Sequence, residues 1–225
     1  PRLINPLTRL TMKRQLVLLF LIIMVPVFAL HLYGGRKAEQ ILKSNVTNAY
    51  VELNKQNYSL IERDIDAINK ITRTILQNPV LQQLGHPEQY SAYERIKQFE
   101  ALDELLASYS TAMSGSRAVD YSFYAYDPDG YFSFAPSTQL STRGVYFFDD
   151  GEMPDWYPEA LEKKGTGYLK IFAAYGPVSK QPTLAYVRAV NSIERADRPI
   201  GVLVATGVEH IVRDSLNTVT LPEGE

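Results

Sequence analysis

The 225-residue chain contains no cysteine, which excludes a disulfide framework, a lipoprotein anchor, a cysteine nucleophile and a zinc ribbon. Its three histidines, His31, His86 and His210, have no second ligand-type residue at metal-binding spacing. Walker, dinucleotide-glycine and Gly-x-Ser-x-Gly patterns are also missing. We therefore predict no catalytic residue, no metal and no cofactor within these residues.

An excess of basic residues is missing as well. The chain carries 23 Lys and Arg against 25 Asp and Glu, a net charge of -2 at pH 7. Four of the positive charges precede residue 15, so the remainder is mildly acidic. This balance argues against nucleic acid as a partner.

A long apolar run is present at residues 16–33, LVLLFLIIMVPVFALHLY. Eighteen helical residues span about 27 Å, close to the ~30 Å hydrocarbon core of a bilayer, and membrane helices tolerate a proline such as Pro26. Arg2, Arg9, Lys13 and Arg14 precede the run and predict a cytoplasmic segment at residues 1–15, with everything after the run outside the cell. The alternative is a cleaved signal peptide, but the run ends in LHLYGG, a poor cleavage site. We predict an uncleaved anchor in the cell membrane.

Residues 36–78 predict one long helix, because they contain neither proline nor glycine and end before Pro79. Isoleucines at spacings of three and four make one apolar stripe along it: Ile61, Ile65, Ile68, Ile71 and Ile75. The stripe fits a core helix packed on its own domain or the stalk of a homodimer, and the two can hold for different halves. Residues 34–84 are assigned to this signalling helix, with Ile61, Ile65, Ile68 and Ile75 as candidate dimer contacts.

Residues 85–225 predict an α+β domain. A second helix begins at Ser91, with Glu94 at capping-box spacing. Alternation from residue 119 predicts a strand, the sequence DPDG a turn, and residues 131–134 the returning strand of a hairpin. Residues 137–164 read as irregular and partly helical. Strands at residues 168–175, 183–190 and 200–208 and a closing helix at 209–216 complete an antiparallel five-stranded sheet.

Aromatic density marks the candidate site. Fifteen of the 25 aromatic residues fall between Tyr121 and Tyr175. A one-sided sheet needs bulky core residues, yet the Trp156–Tyr157 pair in a loop also fits the wall of a pocket, and Arg188 in mid-strand fits either a solvated position or an anion partner. The candidate ligand-binding residues are Trp156, Tyr157, Asp149, Asp150, Tyr124, Tyr126, Tyr175 and Arg188.

The order of these features resembles the extracellular double Cache sensors, especially YesM-like sensor histidine kinases of Gram-positive bacteria. The segments KRQLVLLFLIIMVPVFAL, YSFYAYDPDGYF and PIGVLVATGVEHIVRDSL carry the likeness. It implies a PAS-like Cache sheet here. It also implies a second, membrane-proximal module, a second membrane helix, a linker and a kinase core after Glu225. These residues would then be the truncated sensing half of a histidine kinase.

The resemblance also bears on the ligand. Trp156 and Tyr157 match the Trp-Tyr pair of amino-acid-binding Cache domains, but Pro154 stands where an arginine is expected and Ala174 near an expected aspartate. A sugar-like or other neutral polar solute is therefore expected. Two alternatives stay open: a chemoreceptor that uses the same module, and a membrane-anchored extracellular enzyme.

Overall fold

The computed structural model describes residues 11–112, 119–135, 144–173, 182–195 and 198–217. The chain divides into two compact units, Pro1–Gln56 and Asn57–Glu225. The first helix, α1 (Met12–Leu76), contributes residues to both units. Its N-terminal part is long and apolar enough to span a membrane, and its apolar side chains there are exposed. Pro26 lies inside the helix without ending it.

Two short helical segments and one longer helix follow α1. Asn78 caps α2 (Pro79–Gln83), where its side chain accepts a 2.9 Å hydrogen bond from the backbone N–H of Val80. A 3-10 turn spans Pro87–Gln89, and α3 spans Ala92–Ala112. The predicted capping box is confirmed, since the Ser91 N–H donates to Glu94 at 2.8 Å and the Glu94 N–H approaches the Ser91 hydroxyl at 3.4 Å.

Within the described ranges, five strands form one sheet in the order β2-β1-β5-β4-β3. The strands are β1 (Asp120–Tyr126), β2 (Gly144–Phe148), β3 (Tyr168–Phe172), β4 (Thr183–Asn191) and β5 (Pro199–Thr206), with α4 (Tyr157–Glu162) before β3 and α5 (Val208–Asn217) after β5. Pairs β1–β5, β5–β4 and β4–β3 are antiparallel, whereas β1 and β2 are parallel. The α+β class is confirmed, but the sheet is mixed and the prediction of a wholly antiparallel sheet is wrong.

The predicted hairpin is also wrong, because residues 131–134 form turns and β2 comes later in the chain. Both carboxylate oxygens of Asp127 accept backbone hydrogen bonds, from Tyr131 at 3.0 Å and from Phe132 at 2.7 Å. The Arg95 Nε donates to the Tyr131 carbonyl at 3.1 Å. These side chains use backbone groups that a strand would need for its ladder, so the segment turns.

Each face of the sheet has its own core. The helix face packs against residues of α1, α2, α3 and α5, and the opposite face packs against α4. Ile68 and Ile75 of the isoleucine stripe are fully buried on the helix face, and Ile65 packs partly against that core. The far half of α1 is therefore a core helix of its own domain. Ile61 is half-buried.

Candidate functional site

Aromatic rings from β1, β2, β3 and the start of α4 meet on the face opposite the long helix. The Trp156 ring meets Tyr124 edge to face, with centroids 5.0 Å apart, and Phe172 at 5.4 Å. Tyr157 meets Phe148 edge to face at 4.8 Å. We call this set the aromatic cluster: Tyr124, Tyr146, Phe148, Trp156, Tyr157 and Phe172. Edge-to-face geometry is the favoured arrangement for such rings and fixes their orientation.

The two members of the predicted Trp-Tyr pair have different surroundings. Tyr157 is only 3% exposed, and burial raises the pKa of its hydroxyl to about 12. Trp156 is only partly buried and forms the outer edge of the cluster. Tyr157 is therefore a core residue on this face, and Trp156 is the member that offers a surface.

Two predicted residues meet beside the cluster. The Tyr126 hydroxyl donates a 2.6 Å hydrogen bond to Oδ1 of Asp150, and this bond raises the pKa of Tyr126. The Tyr126 ring lies 6.3 Å from Phe148, centroid to centroid. Asp149 accepts a 2.9 Å hydrogen bond from the Gly151 N–H and shapes the turn after β2. Tyr126 and Asp150 thus extend the aromatic cluster to the end of β1.

The structure does not bring all the predicted residues together. Arg188 lies on the helix face of the sheet, because it shares the parity of Tyr186 along β4, whereas Val187 faces the aromatic cluster. Tyr175 lies outside the described residues. Of the predicted residues, Tyr124, Trp156 and Tyr157 belong to the aromatic cluster, Tyr126, Asp149 and Asp150 lie at its margin, and Arg188 lies on the other face.

A cavity of about 490 Å³ opens where β1 ends and β5 begins. Tyr126 lines it and so joins the cavity to the aromatic cluster. The polar and aromatic lining residues are Glu88, Tyr126, Asp127, Asp129, Tyr131, Phe132, Phe147 and Arg198. The volume lies in the ~300–1,000 Å³ range of small-molecule sites. We call this space the β1-end cavity.

Carboxylates dominate the polar lining of the β1-end cavity. Asp127 is already engaged by two backbone N–H groups, and it holds the cavity wall in shape. Glu88 lies 3.4 Å from His86, and a hydrogen bond with its own backbone is the largest cause of its lowered pKa. Ionised carboxylates only accept hydrogen bonds, so the cavity suits a ligand rich in hydroxyl donors.

Sequence reasoning missed most of this cavity. The DPDG segment carried the signal, since it holds two acids directly after an aromatic strand, but we predicted only its turn. Glu88 and Arg198 lie 110 positions apart in connections with no periodic pattern, and they meet because the segment after α2 packs against the start of β5, where Gly85 lies beside Ile200.

Comparison with protein-family models gives no match, and no curated protein matches the chain.

Proposed function

We propose that this chain is the extracellular ligand-sensing part of a bacterial membrane receptor, specifically a two-component sensor histidine kinase with a Cache-type sensor. It acts as a homodimer. Its ligand is a small neutral polar solute, such as a sugar, bound in the β1-end cavity. The chain would report this binding through α1 to an output on the other side of the membrane.

One observation carries the ligand class: acidic acceptors and tyrosine rings meet in a cavity of ligand size. The lining acids Glu88, Asp127 and Asp129 outnumber the cation Arg198. This excess of negative charge disfavours the binding of an anion. Flat rings such as Tyr126 and Tyr131 suit the apolar faces of a sugar ring, and the carboxylates suit its hydroxyls.

The helix supports the signalling part of the proposal. The same helix, α1, holds the apolar stretch and the core residues Ile68 and Ile75 of the sensing domain. A ligand that shifts the packing of this core would bias the position of α1. A shift of this kind needs differential binding between two states of the domain.

Protease accessibility tests the topology. In intact cells, protease should digest the region after Gly35 and leave a membrane-bound fragment that contains the basic N-terminus. A mature protein that begins near Gly35, or protection of the C-terminal domain, would contradict the proposal.

Thermal unfolding of the full chain in detergent tests the ligand class. Among neutral sugars, organic acids and amino acids, we expect a hit among the neutral solutes, and a ligand at a hundred times its dissociation constant should add about 2.7 kcal/mol of stability. Asp129→Asn should weaken this gain, because the side chain lines the cavity, whereas the exposed Asp155→Asn outside it should not. Stabilisation by an amino acid that is indifferent to Asp129→Asn would reject both ligand class and site.

A further inference from the structure

A second cavity, of about 390 Å³, lies on the helix face of the sheet, where α1 ends beside β4. Its polar lining consists of Arg73, Gln77, Gln82, Arg188 and Asn191, and it contains no acidic residue. We call it the arginine cavity. It is separate from the aromatic cluster, which lies on the other face.

Arg188 is held in place by a neutral partner. Its Nη1 donates a 2.8 Å hydrogen bond to Oδ1 of Asn69, which also accepts a 3.0 Å bond from the Tyr186 hydroxyl. The Nε of Arg188 is buried and has no hydrogen-bond partner in the described part of the chain. Asn69 is neutral, so it leaves the positive charge of Arg188 uncompensated beside the cavity.

Arg73 supplies a second positive charge. It lies in the last turn of α1, and no described residue forms an ion pair with it or with Arg188. Burial raises the pKa of the Tyr186 hydroxyl, and the positive charges of Arg188 and Arg73 both partly offset that rise. Their charges therefore converge on one place beside β4.

The ordinary role of a last-turn arginine is to offset the partial negative charge of the helix end. That charge is about half an elementary charge, so one arginine more than offsets it and two leave an excess near 1.5. Arg188, on a strand, has no helix end of its own to offset. The remaining excess of positive charge matches a doubly charged oxyanion.

Neutral groups around the cavity complete the enclosure. Gln82 donates to the Leu76 carbonyl at 2.7 Å and accepts from the Ile193 N–H at 2.9 Å, so it ties α1 to the segment after β4. Gly165, which also lines the cavity, has a φ of +79°, a conformation that favours glycine and keeps a side chain out of the opening.

We propose that the arginine cavity is a binding site for a small dianionic oxyanion, a phosphate or a dicarboxylate, held between Arg73 and Arg188. Guanidinium groups bind such oxygens bidentately, and both Arg73 and Arg188 line the cavity. This site would give the domain a second input, independent of the neutral solute at the β1-end cavity.

The test uses the full chain in detergent at constant ionic strength, with sodium phosphate, sulfate or succinate as the probe. Calorimetric titration and thermal unfolding should show saturable binding for at least one dianion and none for chloride. Phosphate alone would identify a phosphate site, and succinate binding a dicarboxylate site. Stabilisation that chloride reproduces at equal ionic strength would overturn the proposal.

Variants give the test its specificity. Arg73→Gln, at an exposed position that should still fold, is expected to weaken binding at least tenfold, and Arg73→Lys to weaken it less. Asn69→Asp keeps the acceptor atom but places a carboxylate against Arg188, so it should compete with the ligand. Arg63→Gln, elsewhere on the same helix, is the matched control. Binding that is unchanged in both Arg73→Gln and Asn69→Asp would reject the site.

Discussion

The Tyr126 hydroxyl and the Asp150 carboxylate form a 2.6 Å hydrogen bond between the end of β1 and the turn after β2. This bond orients the Tyr126 ring beside Phe148 and on the wall of the β1-end cavity. It therefore connects the packed aromatic cluster with the space that a ligand would occupy.

Replacing this carboxylate should change the titration of Tyr126. The hydrogen bond to Asp150 is the main cause of the raised pKa of Tyr126, followed by burial and by the charges of nearby acids. Asp150→Asn should therefore lower that pKa toward its ordinary value, which NMR of ring-labelled tyrosine would report. Asp155→Asn is the control. An unchanged Tyr126 titration in Asp150→Asn would show that the bond does not form in solution.

Because Tyr157 is buried, we expect the domain to lose stability at alkaline pH. Its pKa is raised to about 12, so its contribution to stability is full below the unfolded-state value near 10 and is lost as the pH rises from 10 toward 12. Over this window the wild type should lose about 1.4 kcal/mol per pH unit more than Tyr157→Phe. Urea unfolding between pH 9 and about 11 gives both slopes. Parallel slopes would mean that Tyr157 is solvent-accessible.

Gly201 in β5 should not tolerate a side chain. A Cβ there would lie 2.4 Å from the Tyr124 carbonyl oxygen and 2.5 Å from the Phe123 ring. Gly201→Ala should destabilise the domain by about 3 kcal/mol, measured by urea unfolding, because the obstruction includes backbone. At Gly151 the nearest atom would be 3.4 Å away, and Gly151→Ala should change stability by less than about 0.5 kcal/mol. Equal effects of the two changes would reject the β1–β5 register.

Dimerisation, if it uses α1, should use the part before the domain core. Ile41, Leu42, Val46 and Val51 are exposed there. In this cysteine-free chain, single cysteines at positions 40–56 should form disulfides between two chains with maxima every three to four residues. A cysteine at the buried Ile75 should not react. Uniformly absent crosslinking would reject a dimer through this helix.

Periodic patterns predicted the elements that depend on local sequence. The long helix, β1, β4, β5 and the closing helix follow from the local pattern of apolar residues, and the Ser91 cap follows from the position of Glu94 three residues later. The strand GVYFF at β2 was missed within an irregular region, because it is buried on both faces and its sequence shows no alternation of polar and apolar residues. Its parallel pairing with β1 depends on contacts that no local pattern encodes.

The site was predicted in part for a related reason. The alternation of side chains along β1 places Tyr124 and Tyr126 on one face of the sheet and Phe123 on the other, as the structure shows for Tyr124 and Phe123. It does not say which face receives the Trp156 segment, so Arg188 could not be assigned to the pocket or excluded from it. Residues 131–134 form turns because the Asp127 carboxylate accepts two of their backbone hydrogen bonds. Residue preferences alone do not show whether such side-chain bonds or a strand ladder will form.

The position of β5 has a consequence for biosynthesis. The last strand among the described residues, β5, is the central one, with β1 on one side and β4 on the other. Until Pro199–Thr206 has been synthesised, the β2–β1 pair and the β4–β3 pair are not hydrogen-bonded to a common strand. Tyr121 and Val187 then lack their neighbours in β5, Ala205 and Val204. The sheet therefore cannot be completed until residue 206 has been synthesised, and long-range pairings of this kind form slowly. Under the proposed topology, this delay would keep the domain unfolded while it crosses the membrane.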